Sequence, residues 1–192
     1  WGTTDPPGEV GRAYRLNVTP SDLKFKYVRG SLNGVGYIDV NGNAWIAGYN
    51  ANGEHGVGDS ITRSAPSRVM VDSAGNPFQN VASLTGYHFR ATNPTEDITG
   101  WYAVKEDGTL WVWGNVQYGY RGNGTIRPNN APRPVQIVIP GNRRVKQVSA
   151  AIVVIVLCTD GTVWTFGNSS AANLGRHLNG TDYTRPVQLT GL

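Results

Sequence analysis

The chain has 192 residues and a formal net charge of +4, with 25 Gly, 11 Pro and 17 Asn but only 16% charged residues. So many turn formers exclude a helical bundle or coiled coil, which would be rich in Ala, Glu, Lys and Leu. Six Trp and nine Tyr in a 39% hydrophobic chain equally exclude a disordered one.

The single cysteine, Cys158, leaves no internal disulfide framework and no multi-Cys zinc site. The longest apolar run, Ala150 to Cys158, is about half of the ~20 residues that a membrane helix needs. Positive charge is spread over Arg121, Arg127, Arg133, Arg143, Arg144 and Lys146 without a dense basic tail. That spread implies weak attraction to polyanions and no dedicated nucleic-acid site.

In chain order, one pattern occurs four times. The sequence starts on Trp1-Gly2, the tail of a first copy, followed by Gly8-Glu9-Val10-Gly11 and by Pro20 with Leu23. The second copy runs Asn41-Gly42-Asn43-Ala44-Trp45-Ile46-Ala47-Gly48, then Gly53-Glu54-His55-Gly56, then Pro66 and Val69. The third runs Asp107-Gly108-Thr109-Leu110-Trp111-Val112-Trp113-Gly114, then Gly119-Tyr120-Arg121-Gly122, then Pro132 and Val135. The fourth runs Asp160-Gly161-Thr162-Val163-Trp164-Thr165-Phe166-Gly167, then Ala172 and Gly175, with Thr184 in place of the proline before Val187.

Each unit can be read physically. Asp-Gly and Asn-Gly accept the positive φ of a tight hairpin turn. The residues that follow alternate as in a two-faced strand, with Leu110 and Val112 opposite Trp111 and Trp113. The later glycines suit a close approach of backbone to backbone, and the prolines suit the entrance of an edge strand. The glycines that end the strand (Gly2, Gly48, Gly114 and Gly167) lie 46, 66 and 53 residues apart, a propeller-blade period. Trp45, Trp111 and Trp164 mark one structural position.

These markers resemble the repeat of the regulator of chromosome condensation family, a seven-bladed β-propeller. The resemblance rests on Asp107-Gly108, Trp113-Gly114-Asn115, Gly119 to Gly122 and Pro132 to Val135. It also rests on Asp160-Gly161, Phe166-Gly167-Asn168, Asn173-Leu174-Gly175 and Pro186-Val187. The second copy departs from it at Asn41 and Ala47. It implies an all-β fold of four-stranded antiparallel blades in a partial, open ring, and it is nearly silent on function.

The expected organisation is one partial propeller domain over 1–192, with approximate repeats at 1–30 (partial), 31–86, 87–148 and 149–192. Three periods and a fraction fall short of a closed ring. The expectation is therefore part of a longer chain, or a ring completed by several chains.

The extra length of the third copy falls in an inserted loop, 87–100, ahead of Trp101. Its Tyr87, His88, Arg90, Glu96 and Asp97, with Trp101, Tyr118 and Tyr120 nearby, have the composition of a binding surface. The alternative is a surface insertion packed down by its own aromatics.

Asp39-Val40-Asn41-Gly42-Asn43 has the opening of a calcium loop, but Ala44 and Asn50 stand where that loop needs Gly and Glu, so a hairpin turn is expected. No metal site, cofactor or catalytic motif is expected, and Cys158 reads as a buried, inert thiol. Low charge with abundant Gly, Asn, Thr and Ser suggests a non-enzymatic recognition module on an extracellular or virion surface, such as a phage tail or fibre, with a protein or surface glycan as partner. The alternative is a guanine-nucleotide exchange factor for a small GTPase, or a chromatin-binding propeller.

Overall fold

A computed structural model describes residues 23–92, 95–126, 129–168, 174–176 and 182–191. The first partial copy, with Trp1 and Gly2, lies outside the described residues. Strands β1 (Phe25–Ser31), β2 (Gly34–Asp39), β3 (Ala44–Gly48) and β4 (Arg63–Arg68) form one sheet. Strands β5 (Val81–Thr92), β6 (Thr95–Lys105), β7 (Leu110–Gly114) and β8 (Ala131–Ile137) form the second. The third holds β9 (Val145–Ala150), β10 (Val154–Cys158), β11 (Val163–Phe166) and β12 (Val187–Gln188).

Each sheet is an antiparallel meander in chain order, a propeller blade. β5 packs against β1 and β2 on one side and β9 on the other, so the three blades form an open arc around their first strands. No α-helix occurs among the described residues.

The dipeptides read as hairpin turns occupy them. Gly42, Gly108 and Gly161 have φ near +80°, in the turns joining the second and third strand of each blade. In two blades the turn is capped identically: Asp107 Oδ1 accepts from Thr109 N and Oγ1, and Asp160 Oδ1 from Thr162 N and Oγ1. The threonine hydroxyl then accepts from the indole of Trp111 or Trp164.

In the first blade Asn41 stands at that aspartate position, and Asp39 performs the task instead. Its Oδ1 accepts from Asn41 N and Asn43 N, and its Oδ2 from Trp45 Nε1. Burial alone would raise the Asp39 pKa; the bonds from Trp45, Asn43 and Asn41 outweigh it and hold the carboxyl below its usual range. Both oxygens of Asp39 thus serve as a hairpin cap.

Two sets of contacts join neighbouring blades. At one end, the Asn-Gly turn of the first blade and the Asp-Gly turn of the second receive the first strand of the next blade, as Val81 N donates to Gly42 O and Val145 N to Gly108 O. At the other end, the glycine turns seat on the following blade. A Cβ on Gly53 would lie 2.4 Å from Pro132 Cα, and one on Gly119 3.1 Å from Thr184 Cα. Gly58 N donates to Pro132 O and Gly124 N to Thr184 O. Thr184 therefore fills the proline's place because that place demands a carbonyl and a close-packed Cα, both of which threonine supplies.

The core lies between blades. Trp101, buried, covers Gly36: a Cβ there would sit 2.8 Å from the ring and 3.2 Å from Leu84 Cδ1. Phe78 meets Trp111 and Trp113 edge-on, and Phe166 meets Tyr102 the same way. Because the indole is buried and wedged, Gly36→Ala is expected to lower unfolding free energy by about 1–3 kcal/mol. Urea denaturation with an unchanged slope would check it; a stability equal to the parent protein would refute the packing argument.

Candidate functional site

β5 and β6 pair from Val81↔Lys105 out to Thr92↔Thr95, whereas the pairing of β6 with β7 stops at Gly100↔Gly114. The inserted residues are therefore a two-stranded hairpin that runs on past the blade, where the sequence suggested a loop. Beyond Gly100 a third strand is absent from the pairing, and a bare hairpin is marginal in water. Side-chain contacts on both faces supply what the missing strand does not.

On the face towards the first blade, Thr99 Oγ1 donates to Glu54 Oε1 at 2.6 Å. Glu54 is buried and also accepts from Asn52 N and Nδ2. Its own carbonyl accepts from Trp113 Nε1, so one residue of the glycine turn holds both the hairpin and the neighbouring indole. On the opposite face Glu96 Oε1 accepts from Asn115 Nδ2 and Gln117 Nε2, each at 3.0 Å. There Phe89 meets Tyr118 edge-on, and Tyr118 takes a positive φ of 53°.

The residues singled out from sequence fall into two groups. Tyr87, Trp101 and Tyr120 are buried. Tyr87 and Tyr120 stack with ring centroids 4.9 Å apart, and their hydroxyls donate to carbonyls of Asn115 and Ile152 respectively. Burial pushes both phenols, and that of Tyr102, above their ordinary range, so all three remain protonated donors. These rings cement the hairpin base and the junction with the third blade. His88, Arg90, Glu96 and Asp97 lie on the projecting part, partly or fully exposed. His88 Nε2 lies 3.2 Å from Asp97 Oδ1. Tyr118 is half-buried beneath Phe89.

Between the hairpin and the first blade runs a groove of about 940 Å³. Asp97 forms one wall together with Glu96, whose carboxylate is turned away to Asn115 and Gln117. The opposing wall comes from the β1–β2 turn (Leu32, Asn33), the segment after β3 (Tyr49, Asn52) and the start of β4 (Arg63). Sequence reasoning missed this wall, because its residues come from two connections of another blade and the strand that follows the second. The usable signal is two large apolar residues, Leu32 and Tyr49, at turn positions; they are 68% and 45% exposed. The groove lies at the end of the propeller opposite the Asp-Gly turns.

Residues 107–151 match the regulator of chromosome condensation (RCC1) repeat. This stretch is an RCC1 repeat. It starts at the Asp-Gly turn between β6 and β7 and ends just after β9, so the repeat is offset from the blade by two strands. Among solved structures, human WBSCR16 superposes with a TM-score of 0.69 at 22% identity, over 90% of this chain and 39% of that one. Yeast RCC1 (Prp20), solved bound to Kap60, gives 0.68 at 15% identity, over 91% and 39%. Prp20p from Saccharomyces cerevisiae, described with its binding properties to Gsp1p and histones, gives 0.67 at 15%, over 90% and 40%. The chain spans about two fifths of the length of these RCC1-like propellers.

These likenesses overturn the expected virion, phage-tail or host-attachment module and its extracellular or virion-surface location. Gly is abundant because the turns and blade contacts demand positive φ and close backbone approach, as at Gly53 and Gly119, and Asn serves the loops through its side-chain amide, as Asn50 bonds Asp59 O, Ile61 O and His55 N, so neither reports an exposed fibre.

Beside Glu54, buried His55 places Nε2 2.9 Å from Gly48 O and Nδ1 3.2 Å from Ser67 Oγ. The carbonyl requires an Nε2 proton, so the neutral ring donates there and accepts from Ser67. Burial lowers its pKa below 6.5. The unfolded chain then binds the proton more readily, so this stabilisation is complete above about pH 6.5 and fades as pH falls towards the folded value. Chemical denaturation between about pH 7 and pH 5 should show stability falling in the parent protein and a flatter profile in His55→Gln. Equal slopes would remove His55 from the account.

Proposed function

We propose that this chain supplies blades of a protein-binding propeller of the exchange-factor type, and that the end bearing the β5–β6 hairpin contacts a folded protein, a small GTPase. The observation that carries this reading is the hairpin itself, braced by Glu54 on one face and by Asn115 and Gln117 on the other. A projection held this way meets a partner with little loss of conformational entropy, which raises affinity for a given contact area. Its likeness in fold to Prp20p, described as binding Gsp1p, supports the class of partner.

A second reading, chromatin binding, is supported by the same likeness in fold, since Prp20p is described with its binding properties to histones as well. In both readings the partner is a protein, and catalysis in the sense of covalent chemistry is no part of the activity.

The test uses the purified whole protein and a small GTPase loaded with a fluorescent guanine nucleotide. Acceleration of release is expected. His88→Ala with Arg90→Ala should reduce it by at least about tenfold while moving the thermal midpoint by no more than about 2 °C. Trp101→Ala is unsuitable for this purpose, because that indole fills the contact over Gly36. An unchanged release rate on adding the parent protein would end the exchange-factor reading, and a large fall in thermal midpoint would make the hairpin residues structural.

A further inference from the structure

One turn residue is held in a backbone conformation that its own type disfavours. Among the described residues, the non-glycine ones with positive φ are Asn80, Tyr118 and Asn142. Asparagine tolerates the left-handed region, but in a bulky aromatic residue the Cβ crowds the backbone there. Tyr118, with φ of 53°, is therefore strained. The glycine turn alone does not require this. Asn52 stands four residues after Gly48 as Tyr118 stands four after Gly114, and in that earlier copy positive φ begins only at Gly53.

What sets the second blade apart is the projecting hairpin. Its first two strands pair out to Thr92↔Thr95, whereas the first blade turns directly at Leu32 and Asn33. The segment from Asn115 to Gly119 ties that projection to the third blade. Asn115 and Gln117 hold Glu96 through their side-chain amides, and Gly119 packs on the Cα of Thr184. Tyr118 lies between these anchors. Its N–H donates to Ile126 O, and its ring meets Phe89 of the hairpin edge-on, with centroids 6.4 Å apart. The strained backbone and the ring contact with the hairpin thus belong to the same residue.

We propose that Tyr118 is a positioning residue for the hairpin: its unfavourable backbone conformation persists because it aims the ring at Phe89 and fixes the hairpin relative to the third blade. The proposal deepens the reading of the hairpin as the partner-binding projection, and rests on that reading only for its effect on nucleotide release. Glu54 holds Thr99 on one face of the hairpin and Tyr118 holds Phe89 on the other, so the projection is clamped between blades. Strain kept where a defined geometry is needed separates two effects of a substitution. Relieving it leaves the fold as stable as before and releases the hairpin.

Amide hydrogen exchange on the whole protein tests it. Asn115 N donates to Thr99 O, so the register turns the amides of Phe89, Ala91, Glu96 and Ile98 towards the opposite hairpin strand. In Tyr118→Gly, which removes both ring and strain, these amides should exchange at least about tenfold faster, while the thermal midpoint stays within about 2 °C of the parent protein. Phe89→Ala should speed the same amides by a comparable factor, and Phe89→Tyr, which keeps a ring there, should not. A larger fall in midpoint for Tyr118→Gly would make Tyr118 ordinary packing, and unchanged hairpin exchange would remove its positioning role; either result overturns the proposal. Nucleotide release from the GTPase is measured alongside. Loss of release together with faster hairpin exchange supports both readings. Faster hairpin exchange with release unaltered refutes only the exchange-factor reading and leaves the positioning role standing.

Discussion

Everything in this fold depends on how closely one blade can approach the next. Four-stranded sheets of this size bury little by themselves, and the apolar rings sit mostly between sheets, where Trp101, Trp113 and Phe166 each meet a glycine of the blade before. The spacing is set by backbone against backbone: Gly53 on the Cα of Pro132, Gly119 on the Cα of Thr184, each clamped by the N–H of a glycine five residues further on. Side chains at those glycines would hold the sheets apart and take the indoles out of contact. Hydrophobic burial between blades is thus conditional on a steric minimum.

The same constraint reaches the candidate site. Glu54 lies inside a glycine turn, between Gly53 on Pro132 and Gly56 on Trp113, so its position follows from blade packing. From there its carboxylate receives Thr99, on the strand that continues into the projecting hairpin. Blade spacing therefore sets the hairpin's base, and the groove width with it, since one wall is hairpin and the other is the first blade. A hairpin braced only by its own blade, through Asn115 and Gln117, would lack the support that fixes its distance from Leu32 and Tyr49.

Much of the architecture was legible in the chain because each turn needs a residue that little else can replace. Asp-Gly, the paired glycines and the strand alternation all report local backbone demands, and these survive in a single sequence. Where a task can be shared, legibility falls. Asp39 takes over the cap from position 41, two residues early, and the first blade then departs from the pattern without departing from the structure. Thr184 for proline is the same kind of exchange, since the requirement is a carbonyl and a compact Cα.

The site was half legible. An insertion rich in Tyr, His and Arg marked the hairpin, but composition does not separate rings that pack from groups that project. Tyr87 and Tyr120 stack and donate to backbone inside the molecule, while His88 and Arg90 extend from the same hairpin into solvent. The alternation of a strand would have distinguished them, had the segment been read as one. The groove was not legible at all, for its far wall is assembled from residues 32–33, 49–52 and 62–64, which only the meander of the first blade brings together. Composition misled most on function. Positive φ and tight backbone contact enrich Gly, and side-chain bonds to loop backbone such as those of Asn50 enrich Asn, so abundance of those residues reports how the blades are built and carries no information about where the protein works.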